Sequence, residues 1–154
     1  MPKIDPNTAP KGTGTRYPAP FDAPCKGRSW IKLGDAAGLT QFGVNLVRMA
    51  PGVWSSQRHW HSHEDELVYV LEGEVVLVTD QGEEPLRAGE SAGFRAGVRD
   101  GHCLQNRSNA DAVLLTVGTR NDEDSGEYSD IDLAFTAGRY TGKGKYVRKD
   151  GTPY

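Results

Sequence analysis

"RHWHSHEDELVYVLEGE", residues 58–74, is the stretch on which the reading of this chain turns. The chain has four histidines, and three of them, His59, His61 and His63, stand at alternate positions here. Glu64, Asp65 and Glu66 follow at once, and then the apolar run "LVYVL". Alternate residues of an extended segment share one face. His59, His61 and His63 would therefore project together, with Trp60 and Ser62 opposite. Glu66 has the other parity and needs a turn or bulge within "SHED" to join them. Imidazoles two residues apart can reach one small ion, which takes a carboxylate or a further imidazole to complete its shell. Past Glu66, Val68 and Val70 share its face, and Leu67, Tyr69 and Leu71 face away. Both sets are apolar, so this strand is expected to be covered on both sides.

The fourth histidine, His102, opens the strand-like "HCLQN" behind the glycine-bracketed loop "GVRDG". On a neighbouring strand it would close a site of three imidazoles and one carboxylate. Clustered histidines also occur as plain surface patches, and spacing alone leaves both readings open.

Around this window the texture is that of an all-β domain. Nineteen glycines punctuate short β-branched runs in a chain of 154 residues, a length that suits one domain. Strands are expected in "SWIKL", "FGVNLVRM", "ELVYVLEG", "EVVLVT", on either side of Ala88–Gly89, in "HCLQNRS" and in "AVLLTVGTR". "GDAAGLTQ" reads as a turn, "NDEDSGE" as a solvated acidic loop, and no helix longer than two turns is expected. Six of nine prolines lie in residues 1–24, which excludes regular helix and central strand there. The expected organisation is an extended proline-rich arm over 1–28, a β domain over 29–125 and a tail over 126–154 that packs on it or on a partner subunit.

Composition narrows the partners. A formal net charge of −3 argues against nucleic acid, even though "GRYTGKGKYVRK" is basic. The apolar runs are far too short for a membrane span. The N-terminus has no apolar run behind a basic start, which, with two cysteines (Cys25 and Cys103) read as reduced thiols, points to a cytoplasmic protein. The arm and an unpaired edge of "AVLLTVGTR" would suit a homodimer.

These residues resemble the two motifs of the cupin superfamily. Gly52, the pair His59 and His61, Glu66 four residues beyond, and Gly73 six residues after that follow the first motif. Gly89, Gly97, His102 and Asn106 follow the second, with fifteen residues between Gly73 and Gly89. Three features depart from the pattern: Arg95 stands where the second motif has proline, four residues separate Gly97 from His102, and six rather than five separate Gly52 from His59. The ending "KDGTPY" is similar to that of small bacterial cupins, some of them labelled sugar-phosphate isomerases.

The resemblance implies a single cupin-type β-barrel, a jelly-roll-like double-stranded β-helix, with a metal in its mouth. It implies His59, His61, Glu66 and His102 as ligands of one divalent transition ion (Mn, Fe, Ni, Zn or Cu). His63, Asn106 and Arg48 become candidates for the surrounding cavity, Arg48 as an anion clamp. Such a site carries one negative charge and leaves two octahedral positions open for a small oxygenated substrate. Isomerase, dioxygenase and decarboxylase chemistries all fit. The alternative is a non-catalytic small-molecule sensor or storage protein, because fold alone does not settle function.

Overall fold

The structure, a computed structural model, describes residues 3–154. Its strands in chain order are β1 (Lys11–Thr13), β2 (Arg28–Lys32), β3 (Phe42–Met49), β4 (Glu66–Glu72), β5 (Glu74–Thr79), β6 (Gly82–Arg87), β7 (Ser91–Phe94), β8 (Cys103–Gln105), β9 (Ala112–Thr119), β10 (Gly126–Glu127), β11 (Ala134–Phe135) and β12 (Tyr146–Val147). One α-helical turn, α1 (Leu33–Ala36), occupies part of the segment expected as a turn. No helix among the described residues is long and apolar enough to cross a membrane.

Two sheets make the body. One runs β1-β2-β3-β9-β4-β7 and the other β6-β5-β8; a small third sheet, β10-β11-β12, belongs to the tail. Turn chemistry explains the switches between sheets. At Gly73, between β4 and β5, φ is +77° and a Cβ would fall 2.6 Å from the Asp111 carbonyl oxygen, so only glycine fits. The chain returns to the larger sheet through Gly89, at φ +95°. The all-β fold is thus the expected one, built as two facing sheets rather than one closed ring of hydrogen-bonded strands.

Between the sheets lies the core. Met49, Val68, Val70, Ala112 and Leu114 from the larger sheet pack against Val75, Leu86 and Leu104 from the smaller. Each fully buried aliphatic side chain contributes about 1.5–3 kcal/mol by leaving water. Alternation along β4 gives it two faces. Val68 and Val70 point inward, while Leu67, Tyr69 and Leu71 are 46%, 38% and 42% exposed. Cover on both sides of this strand is therefore not supplied within one chain.

Two further expectations are corrected. "AVLLTVGTR" forms β9, which is paired on both sides, by β3 and β4, and so offers no free edge. The histidine window is not a ladder strand. Only His59 makes bridges, to His102 on one side and Tyr128 on the other. Within the extended proline-rich arm, Lys11–Thr13 pair antiparallel with β2 and form the edge of the larger sheet. Beyond β9, the tail runs beside the histidine window. Trp60 N–H donates to the Glu127 carbonyl and Ser62 N–H to the Ser125 carbonyl, at 3.3 and 2.8 Å. A Cβ on Gly126 would fall 2.0 Å from the Trp60 carbonyl oxygen, so glycine permits this approach.

Candidate metal centre

Four donor atoms converge at one end of the space between the sheets. His59 Nε2 is 3.1 Å from His61 Nε2. Glu66 Oε2 is 2.9 Å from His102 Nε2, 3.5 Å from His61 Nε2 and 4.0 Å from His59 Nε2. Glu66 opens β4, and the non-ladder residues Ser62 and His63 absorb the parity mismatch that separates it from His61. His59 and His102 are brought together by a mutual pair of backbone hydrogen bonds, at 3.2 and 2.9 Å. Donors around a small ion with bonds of about 2.0–2.2 Å lie roughly 3 Å apart at right angles, a spacing this cluster approaches.

Hydrogen bonding fixes what each imidazole presents. His59 Nδ1 is 2.9 Å from the Gln57 carbonyl oxygen, which only accepts, so Nδ1 carries the hydrogen and Nε2 presents a lone pair. His61 Nδ1 is 2.6 Å from the Asp124 carboxylate, which orients that ring the same way. Two lone pairs aimed at each other across 3.1 Å repel unless a cation, either a proton or a metal ion, lies between them. The acid–base shifts express that demand. Burial, reinforced by the charges of His61 and His102, pushes His59 down to about 3. Burial also disfavours charge on His61, but the Asp124 hydrogen bond and the Glu66 and Asp124 charges outweigh it, and its pKa is raised. Glu66 likewise resists burial. The His102 hydrogen bond and the other imidazoles hold its carboxyl well below the usual range.

His102 is held differently. Its ring stacks on Phe94 with centroids 3.5 Å apart and planes at 2°. Its Nδ1 is the one buried side-chain N or O atom among the described residues without a hydrogen-bond partner. Shifting the ring hydrogen to Nδ1 would free Nε2 for an ion. Three Nε2 lone pairs and one carboxylate form a donor set suited to a divalent transition metal.

A second group, His61, Glu64 and Asp124, is fully buried beside the first. Hydrogen bonds tie both of its carboxylates to the surrounding backbone and tail. Asp124 Oδ1 accepts from His63 N–H at 2.9 Å, and Glu64 Oε1 accepts from Tyr140 O–H at 2.7 Å and Asn121 N–H at 2.9 Å. The sequence motifs single out none of Asp124, Glu64 and Tyr140 as site residues. Asp124 lies in the acidic "NDEDSGE" loop, whose composition suggests a solvated run, yet it is 1% exposed.

The remaining candidates lie elsewhere. His63 is exposed, its Nδ1 2.8 Å from Ser62 Oγ. Asn106 is fully buried and ties backbone, donating to the Met49 and Ala110 carbonyls at 2.8 Å each. Arg48 is exposed and paired with Asp111 at 3.2 Å, so it is not the anion clamp the sequence suggested. Cys25 and Cys103 are buried and unbridged, and burial pushes both thiols up to about 11.

Beside the cluster opens a cavity of about 240 Å³. Its walls include His61, His102, Trp60, Glu64, Phe94 and Arg95. A donor set suited to a metal ion thus stands at the side of an open cavity in a small protein built of two facing β-sheets. The chain belongs to the cupin superfamily: the family model described as "Cupin domain" matches residues 45–118. A sugar phosphate isomerase from a cupin superfamily, of Silicibacter pomeroyi DSS-3, is 46% identical with a TM-score of 0.93, covering 99% of this chain and 96% of that one. A candidate sugar phosphate isomerase of Acidithiobacillus ferrooxidans ATCC 23270 is 29% identical, TM-score 0.75, covering 83% and 80%. A polyketide cyclase of Streptomyces resistomycificus shares the fold at 22% identity, TM-score 0.61, covering 77% and 79%. No curated protein matches this chain significantly.

Proposed function

We propose that this chain is a divalent-metal-dependent isomerase acting on a small hydroxy-carbonyl compound of the sugar-phosphate kind. The convergence of His59, His61, His102 and Glu66 at an open cavity carries the reading. Its likeness to the 46%-identical sugar phosphate isomerase supports the choice of reaction. A bound ion would supply Lewis-acid polarisation of a carbonyl or hydroxyl oxygen.

The chain's own groups do the rest. Asp124 holds the His61 tautomer. Trp60, Phe94 and Val98 furnish apolar cavity wall that limits water. Glu64 is the cavity-wall carboxylate we assign to proton handling at Oε2. Its Oε1 is committed to Tyr140 and Asn121, while Oε2 has only long contacts, 3.5 Å to Arg139 and 3.9 Å to His61. In an aldose–ketose isomerisation one proton leaves the carbon beside the carbonyl and returns to the former carbonyl carbon, while the hydroxyl proton passes to the former carbonyl oxygen. The carboxylate accepts the carbon-bound proton and gives it back, so no oxidant is needed.

Elemental analysis of the parent beside His102→Ala tests the centre, with about one ion per chain expected in the parent and little in the variant. Incubating metal-loaded protein with triose and pentose phosphates in deuterated water tests the chemistry. Deuterium entering the carbon next to the carbonyl is expected. Thermal stabilisation by those compounds without exchange would favour the non-catalytic binding reading.

The buried, free thiols suit a reducing compartment, and we place the protein in the cytoplasm. We further propose a homodimer in which a second copy covers Leu67, Tyr69 and Leu71. The support is that a self-complementary two-fold contact would bury an apolar face left open in the single chain. A monomer in sedimentation at micromolar concentration would overturn it.

A further inference from the structure

We propose that Arg95 is the anion-recognition group of the cavity, selecting substrates with a phosphate or carboxylate at the end remote from the histidine cluster. The proposal rests on the reading of this cavity as the substrate site.

Arg95 lines the cavity together with His61, His102 and Glu64. Among the described residues its guanidinium has no ion pair and no side-chain hydrogen bond. The other cations near the cavity are engaged: Arg139 is 3.5 Å from Glu64, and Arg99 lies over the Trp60 ring at 5.1 Å. Nor do the acidic groups of the wall claim Arg95. Glu64 accepts from Tyr140 and Asn121, and Asp100 accepts from the Asp80 N–H at 2.8 Å and from Gln81 at 3.4 Å. A residue with a charged, uncommitted fork therefore lines the same cavity as His61 and His102.

The root of this side chain is fixed to the cluster. Arg95 begins a turn closed by Val98 N–H on its carbonyl at 3.3 Å, with Gly97 at φ +77° in the third position, as a type II turn requires. Ala96 N–H donates to Asp65 Oδ1 at 2.7 Å, and Gly97 N–H donates to the His61 carbonyl at 2.8 Å. Both tethers end on the segment that carries His61 and Glu66, so the root of the Arg95 side chain is indexed to these donors through backbone. Preorganisation of this kind spares part of the ordering cost of binding. Guanidinium also matches two oxygens of a carboxylate or phosphate at once. This position is the one at which the chain departs from the proline of the cupin motif. The departure puts a cation in the cavity wall, and the turn keeps its shape through Gly97.

The test uses full-length, metal-loaded protein and three matched probes titrated calorimetrically: neutral dihydroxyacetone, its phosphate, and the carboxylate hydroxypyruvate. In the parent, one or both anionic probes bind at least about tenfold more tightly than the neutral one, a difference of roughly 1.4 kcal/mol. In Arg95→Gln the preference falls below about threefold, with metal content and dihydroxyacetone affinity unchanged, and Arg95→Lys restores only part of it because an ammonium lacks the fork. Loss confined to the phosphate assigns a phosphoryl group; loss confined to hydroxypyruvate assigns a carboxylate. Anion preference that survives in Arg95→Gln overturns the role of Arg95 alone. No binding of any probe to metal-loaded parent overturns the substrate-site reading and this inference with it.

Discussion

The two ends of the inner face of β4 are built from the same alternation yet held by different physics. Glu66, Val68 and Val70 lie on one side of a strand, spaced about 6.6 Å apart in steps of two residues. At one end Val70 is fully buried against Leu114 and the opposite sheet. Four residues away Glu66 is 32% exposed and faces three imidazoles. The apolar end needs only volume and burial, which many sequences supply. The polar end needs direction: each lone pair is aimed by a partner at a stated atom. The difference is that the first can be perturbed gradually, whereas the second fails group by group.

Substitutions separate the two ends. The largest effect on the fold is expected from Leu114→Ala, about 2–5 kcal/mol of stability lost in denaturant unfolding, with metal stoichiometry kept in the fraction that remains folded. Glu66→Gln should act mainly on the site, lowering metal affinity more than about 100-fold in a competitive chelator titration, while metal-free protein at pH 7 loses only the stability that the depressed carboxyl contributes. Asp124→Asn removes the charge that orients His61 and should weaken metal binding by about 10–100-fold. If it weakens nothing, the tautomer argument is wrong.

Acid provides a milder perturbation of the polar end. His59 is held from its ordinary 6.5 down to about 3, so between those values the unfolded chain takes up a proton that the folded site refuses. Stability of the metal-free protein should therefore decline as pH falls below 6.5, and the depressed Glu66 carboxyl adds to the loss below its ordinary 4.5. His61 has the opposite sign, because its raised value contributes stability that is lost as pH rises through it. A thermal-unfolding optimum near neutrality is expected, and a midpoint that climbs steadily from pH 7 to pH 4 would refute this account. The smallest effect is expected outside: Leu71→Ser should change the stability of an isolated subunit by no more than about 0.5 kcal/mol, whereas sedimentation should report weakened self-association.

Much of this arrangement was legible in the residues. Glycine and proline marked the ends of β3, β4 and β6, and period-two alternation placed Val68 and Val70 inside. Alternate histidines announced a cluster, and the two motifs named the four residues whose donors converge. What stayed hidden depends on contacts that no local pattern encodes. Strand order made β9 central rather than an edge. Asp124 reaches His61 across 63 residues of sequence, from an acidic loop that looks solvated in isolation. Arg48 was judged by residue type, but its position in the register turned it outward to Asp111.

The histidine window has almost no ladder of its own. It is held from one side by His102 and from the other by the segment from Asp124 to Ser129, with Arg58 at its start bonded to Asp130 and Asp80. For protein engineering this has a plain meaning. Transplanting residues 59–66 into another β-scaffold would carry the donors without their mould, and a graft that is to bind an ion must bring the tail along with the motif.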